Sequence, residues 1–333
     1  MRKVRVAQIG TSKYSHGNDV FETMVACPDV FEIVGYAMPE GEKENFSSQM
    51  AVFERYPEMT VEDILADPTI EAVVIETEEL YLTKYAKMAA LAGKHIHMEK
   101  PGSTSLSEFQ NLITAVKSGG KVFHVGYMYR YNPVISDVIR RVKQGEIGHV
   151  ISVEAQMSGW RGQEHTEWLS RFPGGMMFYL GCHLVDLVLQ IQGMPQNIIA
   201  WNKATGRYAP DAKDYSFAAF EYENGVSFIK TTQAEHGGFA RRQLVISGTK
   251  GKFEIQPLEV NVNYPIQHTE YSKCTSEAWM AKDDKARSRE YHRYDQMMRS
   301  FAKMVTGERV NPYTYDYELQ LFHMLMRCCE EER

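Results

Sequence analysis

The chain of 333 residues carries 37 Lys and Arg against 43 Asp and Glu, a formal charge of −6, with 44% hydrophobic and 24% charged residues. That balance is ordinary for a soluble globular protein, offers no basic footprint for nucleic acid, and at this length asks for two domains with sizeable cores. The five cysteines (Cys27, Cys182, Cys274, Cys328, Cys329) are odd in number and form no C-x-x-C pair, and the most apolar stretch, 176–191, is broken by His183, Asp186 and Gln190; neither a disulfide framework, a structural zinc site, a signal peptide nor a membrane segment is signalled, and a cytoplasmic location is expected.

From residue 1 to about 125, short apolar runs alternate with helical ones. "VRVAQIG" precedes a helix over 18–27, "FEIVGYA" and "IEAVVIE" lead to a helix over 82–92, and "KHIHM", a helix from about 106 and "KVFHVG" follow. Parallel strand pairs need crossover connections, so this order predicts a Rossmann-like, doubly wound parallel sheet, an α/β fold. Thr60 before Asp63 and Ser105 before Glu108 mark helix starts. Beyond residue 126 the texture turns to alternating strands: Asn224-Gly225 joins two period-two runs, and 248–251 joins two more. A large, mostly antiparallel open sheet is expected there, in a C-terminal α+β domain over 126–333 closed by helices over 287–306 and 315–331. No low-complexity linker separates the halves, which predicts closely packed domains with a cleft.

Ligands of a parallel sheet bind beyond the carboxyl ends of its strands. The first strand enters "IGTSKYSHG", in which Gly10-x-Ser12-x-x-Ser15 stands where a dinucleotide fingerprint has three glycines. A plain strand-to-helix turn is an equally good reading of that motif alone. After the second strand, where an acidic residue usually holds ribose, Met38 stands, with Glu40 two residues on. The acidic run Glu76, Glu78 and Glu79 after "VVI" reads as a solvated loop, since negative charge near a dinucleotide phosphate would weaken its binding. His95, His97 and His165 lack a matching carboxylate or cysteine set, so no metal is expected. Arg130, Trp160, Arg161 and Trp168 suit a polyhydroxylated or acidic ligand, although ordinary packing is the stronger reading for both tryptophans.

Along its full length the chain resembles the glucose-fructose oxidoreductase, inositol dehydrogenase and rhizopine catabolism (Gfo/Idh/MocA) superfamily. The stretches that carry the resemblance are "IGT" at 9–11, "ADPTIEAVVIET" at 66–77, "LAGKHIHMEKP" at 91–101, "VGYMYRYNP" at 125–133, "GEIGHVISVEA" at 145–155, "GGMMFYLGCHLVD" at 174–186 and "ISGTKGKFEI" at 246–255. The resemblance implies a dinucleotide-binding domain over 1–125, a substrate and oligomerisation domain over 126–333, and NAD or NADP as cofactor. It also implies hydride transfer between nicotinamide and a sugar, inositol or related polyol, in a homodimer or homotetramer built on the open sheet face. Catalytically silent sensing of a sugar or nucleotide, and NAD-retaining glycosidase-like chemistry, are the alternatives.

Residue by residue, the resemblance gives Lys100 of "EKP" a proton-handling and ribose-contacting role, with a proline bond that is often cis. His183 takes the place of the second catalytic histidine. The aspartate four residues before it is replaced by Tyr179, whose phenol is a candidate for the missing partner's role, while Asp186 is read as structural. Cofactor contacts are expected from Gly10, Thr11, Ser12, Ser15, Thr77, Glu99 and Lys100, and substrate contacts from Lys100, Arg130, Trp160 and His183.

Overall fold

A computed structural model describes residues 2–330 and divides into two compact units. Of the described residues, the first holds those through Met128 and Tyr294–Phe322, and the second holds Tyr129–Arg293 and 323–330.

In the first unit, β1 (Val4–Ile9), α1 (Gly17–Ala26), β2 (Phe31–Ala37), α2 (Glu42–Asn45), α3 (Val61–Ala66), β3 (Ala72–Ile75), α4 (Leu82–Leu91), β4 (His95–Met98), α5 (Leu106–Gly119) and β5 (Phe123–Val125) follow one another. The five strands form one parallel sheet in the order β2-β1-β3-β4-β5. Strands β3 and β5 are buried at every residue, as a sheet covered on both faces requires. Two helix starts follow the sequence: the Asp63 amide donates to Thr60 Oγ1 at 3.0 Å and the Glu108 amide to Ser105 Oγ at 3.4 Å.

The second unit contributes α6 (Pro133–Lys143), β6 (Val150–Ser158), α7 (Gln163–Leu169), a π-helical turn at Met177–Gly181, α8 (Cys182–Gln192), β7 (Asn197–Lys203), β8 (Tyr215–Tyr222), β9 (Gly225–Thr232), β10 (Gln243–Gly248) and β11 (Gly251–Ile255). Then come β12 (Val260–Asn263), β13 (Ile266–His268), β14 (Glu270–Cys274), β15 (Asp284–Arg287) and β16 (Tyr291–His292). Eight strands make one sheet, β15-β14-β11-β10-β6-β9-β8-β7, antiparallel except where β6 runs parallel to β9. The hairpins expected at Asn224-Gly225 and 248–251 join β8 to β9 and β10 to β11. Asn132 starts α6 by accepting from the Val134 and Ile135 amides at 3.0 and 3.1 Å, with Pro133 supplying the preset first turn. One face of the sheet buries Ala155, Ala218, Phe220, Ile229, Leu244, Ile246 and Phe253. The other leaves Ile199 51% and Val226 53% exposed, beside Trp201 and a stacked Phe217–Phe228 pair.

The last helices, α9 (Asp295–Val305) and α10 (Tyr315–Cys328), depart from the sequence expectation in two ways. The first helix begins eight residues later than the expected 287, because Tyr291–His292 pairs as strand β16 with β13. Moreover, α9 and the start of α10 group with the first unit, not with 126–333. Phe301 lies against the rings of His97 and His124 at 5.7 and 5.5 Å, and Phe322 against Phe109 at 4.3 Å, so burial of these side chains decides the grouping.

Candidate functional site

Gly10 ends β1 at φ +85°, where a Cβ would fall 2.4 Å from Thr77 Cγ2 and 2.7 Å from Thr77 Cα. Only glycine permits this approach, and it sets the turn after β1 directly against the turn after β3. Those strands are neighbours whose connections leave in opposite directions, the switch point at which doubly wound sheets bind ligands. Thr11, Ser12 and Thr77 are buried there. The serines that replace fingerprint glycines bond within the turn: the Ser12 amide donates to Ser15 Oγ at 3.2 Å, the Ser15 amide to Ser12 Oγ at 3.1 Å, and the Gly17 amide to Ser15 Oγ at 3.2 Å. The Thr11 and Glu78 amides, one from each turn, donate to Oε2 and Oε1 of buried Glu42 at 3.4 and 3.3 Å. Burial pushes the Glu42 carboxyl up to about 8 against the lowering pull of those two amides.

Lys100 stands at the end of β4, 1% exposed, its Nζ 3.4 Å from Glu99 Oε1 and its bond to Pro101 cis. Around it the chain gathers buried charge. His16 Nδ1 lies 3.3 Å from Glu99 Oε1, His97 Nε2 lies 3.5 Å from Glu76 Oε1, and His97 Nδ1 lies 2.6 Å from His124 Nδ1. Burial opposes charge on Glu99, yet attraction to His16 and Lys100 and the His16 hydrogen bond hold its pKa below the ordinary value. Glu76 goes the other way, raised well above the ordinary carboxyl range by burial and then by the Glu99 charge; of that pair, Glu76 holds the proton. Burial raises Glu79 to about 7 and lowers His97 to about 4. The acidic run therefore differs from the solvated loop expected for it: Glu76 and Glu79 are buried, because the strand ends they follow lie inside the unit, and only Glu78 is half-buried.

At the end of β2, Ala37, Met38 and Pro39 line a cavity of 350 Å³ with Met59, Thr60, Lys84, Tyr85 and Met88 among its other walls. Glu40 accepts from Lys84 Nζ at 2.6 Å and Tyr85 Oη at 2.7 Å. The volume, the mixed apolar and polar walls and the switch-point amides fit the adenosine and phosphate portions of a dinucleotide. The Glu42 carboxyl group on those amides opposes it.

In the second unit, buried His183 opens α8 directly after the π-turn that carries Tyr179, and its ring meets Tyr129 edge-on at 5.1 Å. Such single π-turns recur at functional sites. Tyr179 is buried against His165 and Trp168, with ring centroids 5.1 and 5.2 Å away. His165 in turn meets Gln233 Oε1 at 2.6 Å. Arg130 is buried and gives its guanidinium edge to Asp186, Nε to Oδ2 at 3.0 Å and Nη2 to Oδ1 at 2.9 Å; Asp186 also accepts from Gln190 Nε2 at 2.7 Å. That pairing commits the side chain expected to face substrate. Trp160 is 45% exposed, stacked on His236 with centroids 3.7 Å apart, and the Arg207 guanidinium sits 3.7 Å from its ring centroid. Trp168 is packed, as its sequence reading favoured, against Phe172 and Tyr179.

Two family models match the chain. The oxidoreductase family with an NAD-binding Rossmann fold matches residues 4–127, and the GFO/IDH/MocA C-terminal domain matches 135–254. The chain belongs to the GFO/IDH/MocA oxidoreductase family. Its similar proteins include the scyllo-inositol 2-dehydrogenase (NADP(+)) of Bacillus subtilis, 24% identical over 66% of this chain and 61% of that protein. The scyllo-inositol 2-dehydrogenase (NAD(+)) of the same organism is 29% identical over 57% of this chain and 54% of its own length. The aligned part thus spans less than two thirds of either relative. Among solved structures, levoglucosan dehydrogenase in complex with NADH and L-sorbose superposes with a TM-score of 0.81 at 19% identity, covering 99% of this chain and 96% of that one. Such a likeness shows a shared fold.

Gly10 and Thr77 meet at the switch point and Lys100 stands buried at the end of β4, but nothing local signalled Glu42. Its partners lie 31 and 36 residues away, and the only available sign was an acidic residue opening a four-residue helix soon after β2.

Proposed function

We propose that this protein is an NAD(P)-dependent dehydrogenase that moves a hydride between nicotinamide and a sugar, inositol or related polyol. The observation that carries the reading is the buried Lys100 ammonium at the end of β4, inside a unit that matches the NAD-binding Rossmann model. In this reading the turns at Gly10, Thr11, Ser12, Ser15 and Thr77 hold the cofactor's phosphates, and the cavity beside Met38 takes the adenosine. Glu99 fixes Lys100, whose ammonium contacts the nicotinamide ribose and stabilises negative charge developing on the substrate oxygen. His183 accepts the hydroxyl proton, and Tyr179, in the place of an aspartate, assists it. The nicotinamide, when bound, supplies the hydride acceptor or donor. Because Arg130 is engaged by Asp186, its role is to brace α8 under His183, and the exposed edge of Trp160, whose faces are covered by His236 and Arg207, is the remaining candidate for a substrate contact.

The proposal extends to a homodimer or homotetramer in which the exposed face with Ile199, Trp201 and Val226 packs against a second copy, since a contiguous apolar patch of that kind marks an interface. It places the protein in the cytoplasm, in line with five cysteines that no disulfide joins. No helix of the described residues is long and apolar enough to cross a membrane.

The test is a screen of inositols, sugars and polyols for change at the nicotinamide absorbance with NAD and NADP. Turnover of at least one, abolished in Lys100→Met and His183→Ala, is expected; no turnover of any, with NADH bound, contradicts the dehydrogenase. A pH–rate profile and rate unchanged in Tyr179→Phe would remove Tyr179 from the chemistry. A second reading, a silent sensor on the same fold, is favoured by one observation: the Glu42 carboxylate on the switch-point amides. Retained NAD without net turnover would instead favour the glycosidase-like alternative.

A further inference from the structure

We propose that the Glu42 carboxylate is an internal substitute for a dinucleotide phosphate, seated on the amides of the turns after β1 and β3, and that cofactor binding requires it to leave that seat. The inference rests on the reading that the first unit takes NAD(P).

Backbone amides that converge from two turns at a switch point recognise an anion. Here one oxygen of Glu42 accepts from Thr11 and the other from Glu78, so a single carboxylate bridges both turns as two oxygens of a phosphate would. The backbone delivers it there. Glu40 and Gly41 are consecutive residues at φ +59° and +70°, a left-handed pair that turns the chain back over Gly10 and Thr11. Left-handed geometry is costly for a non-glycine residue, and Glu40 is anchored in it by Lys84 and Tyr85. A second clasp holds the same segment down: Thr11 Oγ1 donates to Gln49 Oε1 at 3.2 Å, and Asn18 Nδ2 to the Gln49 carbonyl at 2.8 Å.

A phosphate and the Glu42 carboxyl oxygens cannot both accept from these amides. The cofactor therefore meets the site only in the fraction of molecules whose Glu42 has withdrawn, and its apparent affinity is reduced by that fraction. The consequence is selective for phosphate: a ligand with no phosphate does not compete for these amides and gains nothing from removing the carboxylate.

Calorimetric titration of the full chain with NADH, ADP and adenosine tests this, using wild type, Glu42→Gln and Glu42→Ala. Glu42→Gln keeps the shape of the side chain but leaves one accepting oxygen where there were two, so it stands in should Glu42→Ala fold poorly. NADH and ADP are expected to bind about tenfold more tightly to the variants, with adenosine unchanged. Unchanged or weaker NADH and ADP binding overturns the proposal, as does an equal gain for adenosine. Wild-type NADH binding with no gain in the variants defeats the substitute and leaves the dehydrogenase standing. Tighter ADP binding with no NADH binding in any form does the reverse.

Discussion

The surroundings of Lys100 in the first unit and those of His183 in the second are both buried and polar, but they treat charge in opposite ways. In the second unit, two buried carboxylates are answered: Asp186 by Arg130, and Glu259 by Arg242 at 3.1 Å, Arg293 at 2.9 Å and the Tyr129 hydroxyl at 2.7 Å. Burial opposes charge on Glu259, and Arg293 and Arg242 outweigh it to hold its pKa below the ordinary value. Near Lys100, Glu76, Glu79 and Glu99 are buried, and the carboxyl oxygens of Glu76 and Glu79 have no hydrogen-bond partner among the described residues. Answered charge specifies a fold. Buried carboxyls pushed to keep their protons beside the switch point mark a candidate for chemistry.

Removing the ammonium should break the comparison most sharply. Lys100→Met is expected to lower kcat on whichever polyol the wild type turns over by about a thousandfold. NADH binding measured by fluorescence titration should persist, because the phosphate and adenosine contacts lie elsewhere.

On the answered side, Arg130→Leu should cost about 4 kcal/mol in urea unfolding, because Asp186 is left buried and uncompensated. The double variant Arg130→Leu with Asp186→Leu should recover most of that loss. Equal destabilisation of the single and double variants would show that the pair contributes through packing alone.

The unanswered side should respond to pH in the other direction. With a folded pKa of about 7 against an ordinary 4.5, Glu79 holds its proton more tightly in the folded chain than in the unfolded one. Its contribution to stability is therefore complete below pH 4.5, falls as pH rises through the window to about 7, and is lost above it. Raised Glu76 and Glu42 act in the same sense. Glu79→Gln should consequently raise the free energy of unfolding by about 3 kcal/mol at pH 8 and leave it nearly unchanged at pH 4.5. A gain of the same size at both pH values would mean that Glu79 is not a titrating liability.

The smallest effect belongs to an ordinary cap. Asn132→Ala removes the acceptor for two amides at the start of α6 and should cost about 1 to 2 kcal/mol in the same unfolding measurement.

These outcomes also mark where sequence reading ends. The parallel sheet and both hairpins were legible because parallel strands read as apolar runs and Asn224-Gly225 is a local turn signal. Gly10 was legible because a strand-to-helix turn demands it, and Lys100 because the residues around it resemble a family motif. The burial of Glu76 and Glu79 was not, since an acidic run after a strand reads as a solvated loop. The engagement of Arg130 by Asp186 spans 56 residues, and the grouping of Phe301 with His97 and His124 spans far more; neither leaves a local trace. The seat of Glu42 is of the same kind, a long-range contact made by a residue that sequence alone would place on a surface turn.

Calorimetric titration of the wild-type chain with NADH and with NADPH tests the central claim, that the first unit is built to hold a dinucleotide. Saturable one-to-one binding of at least one of them is the expected result. Heats no different from dilution for both, in wild type and in Glu42→Gln alike, would contradict it.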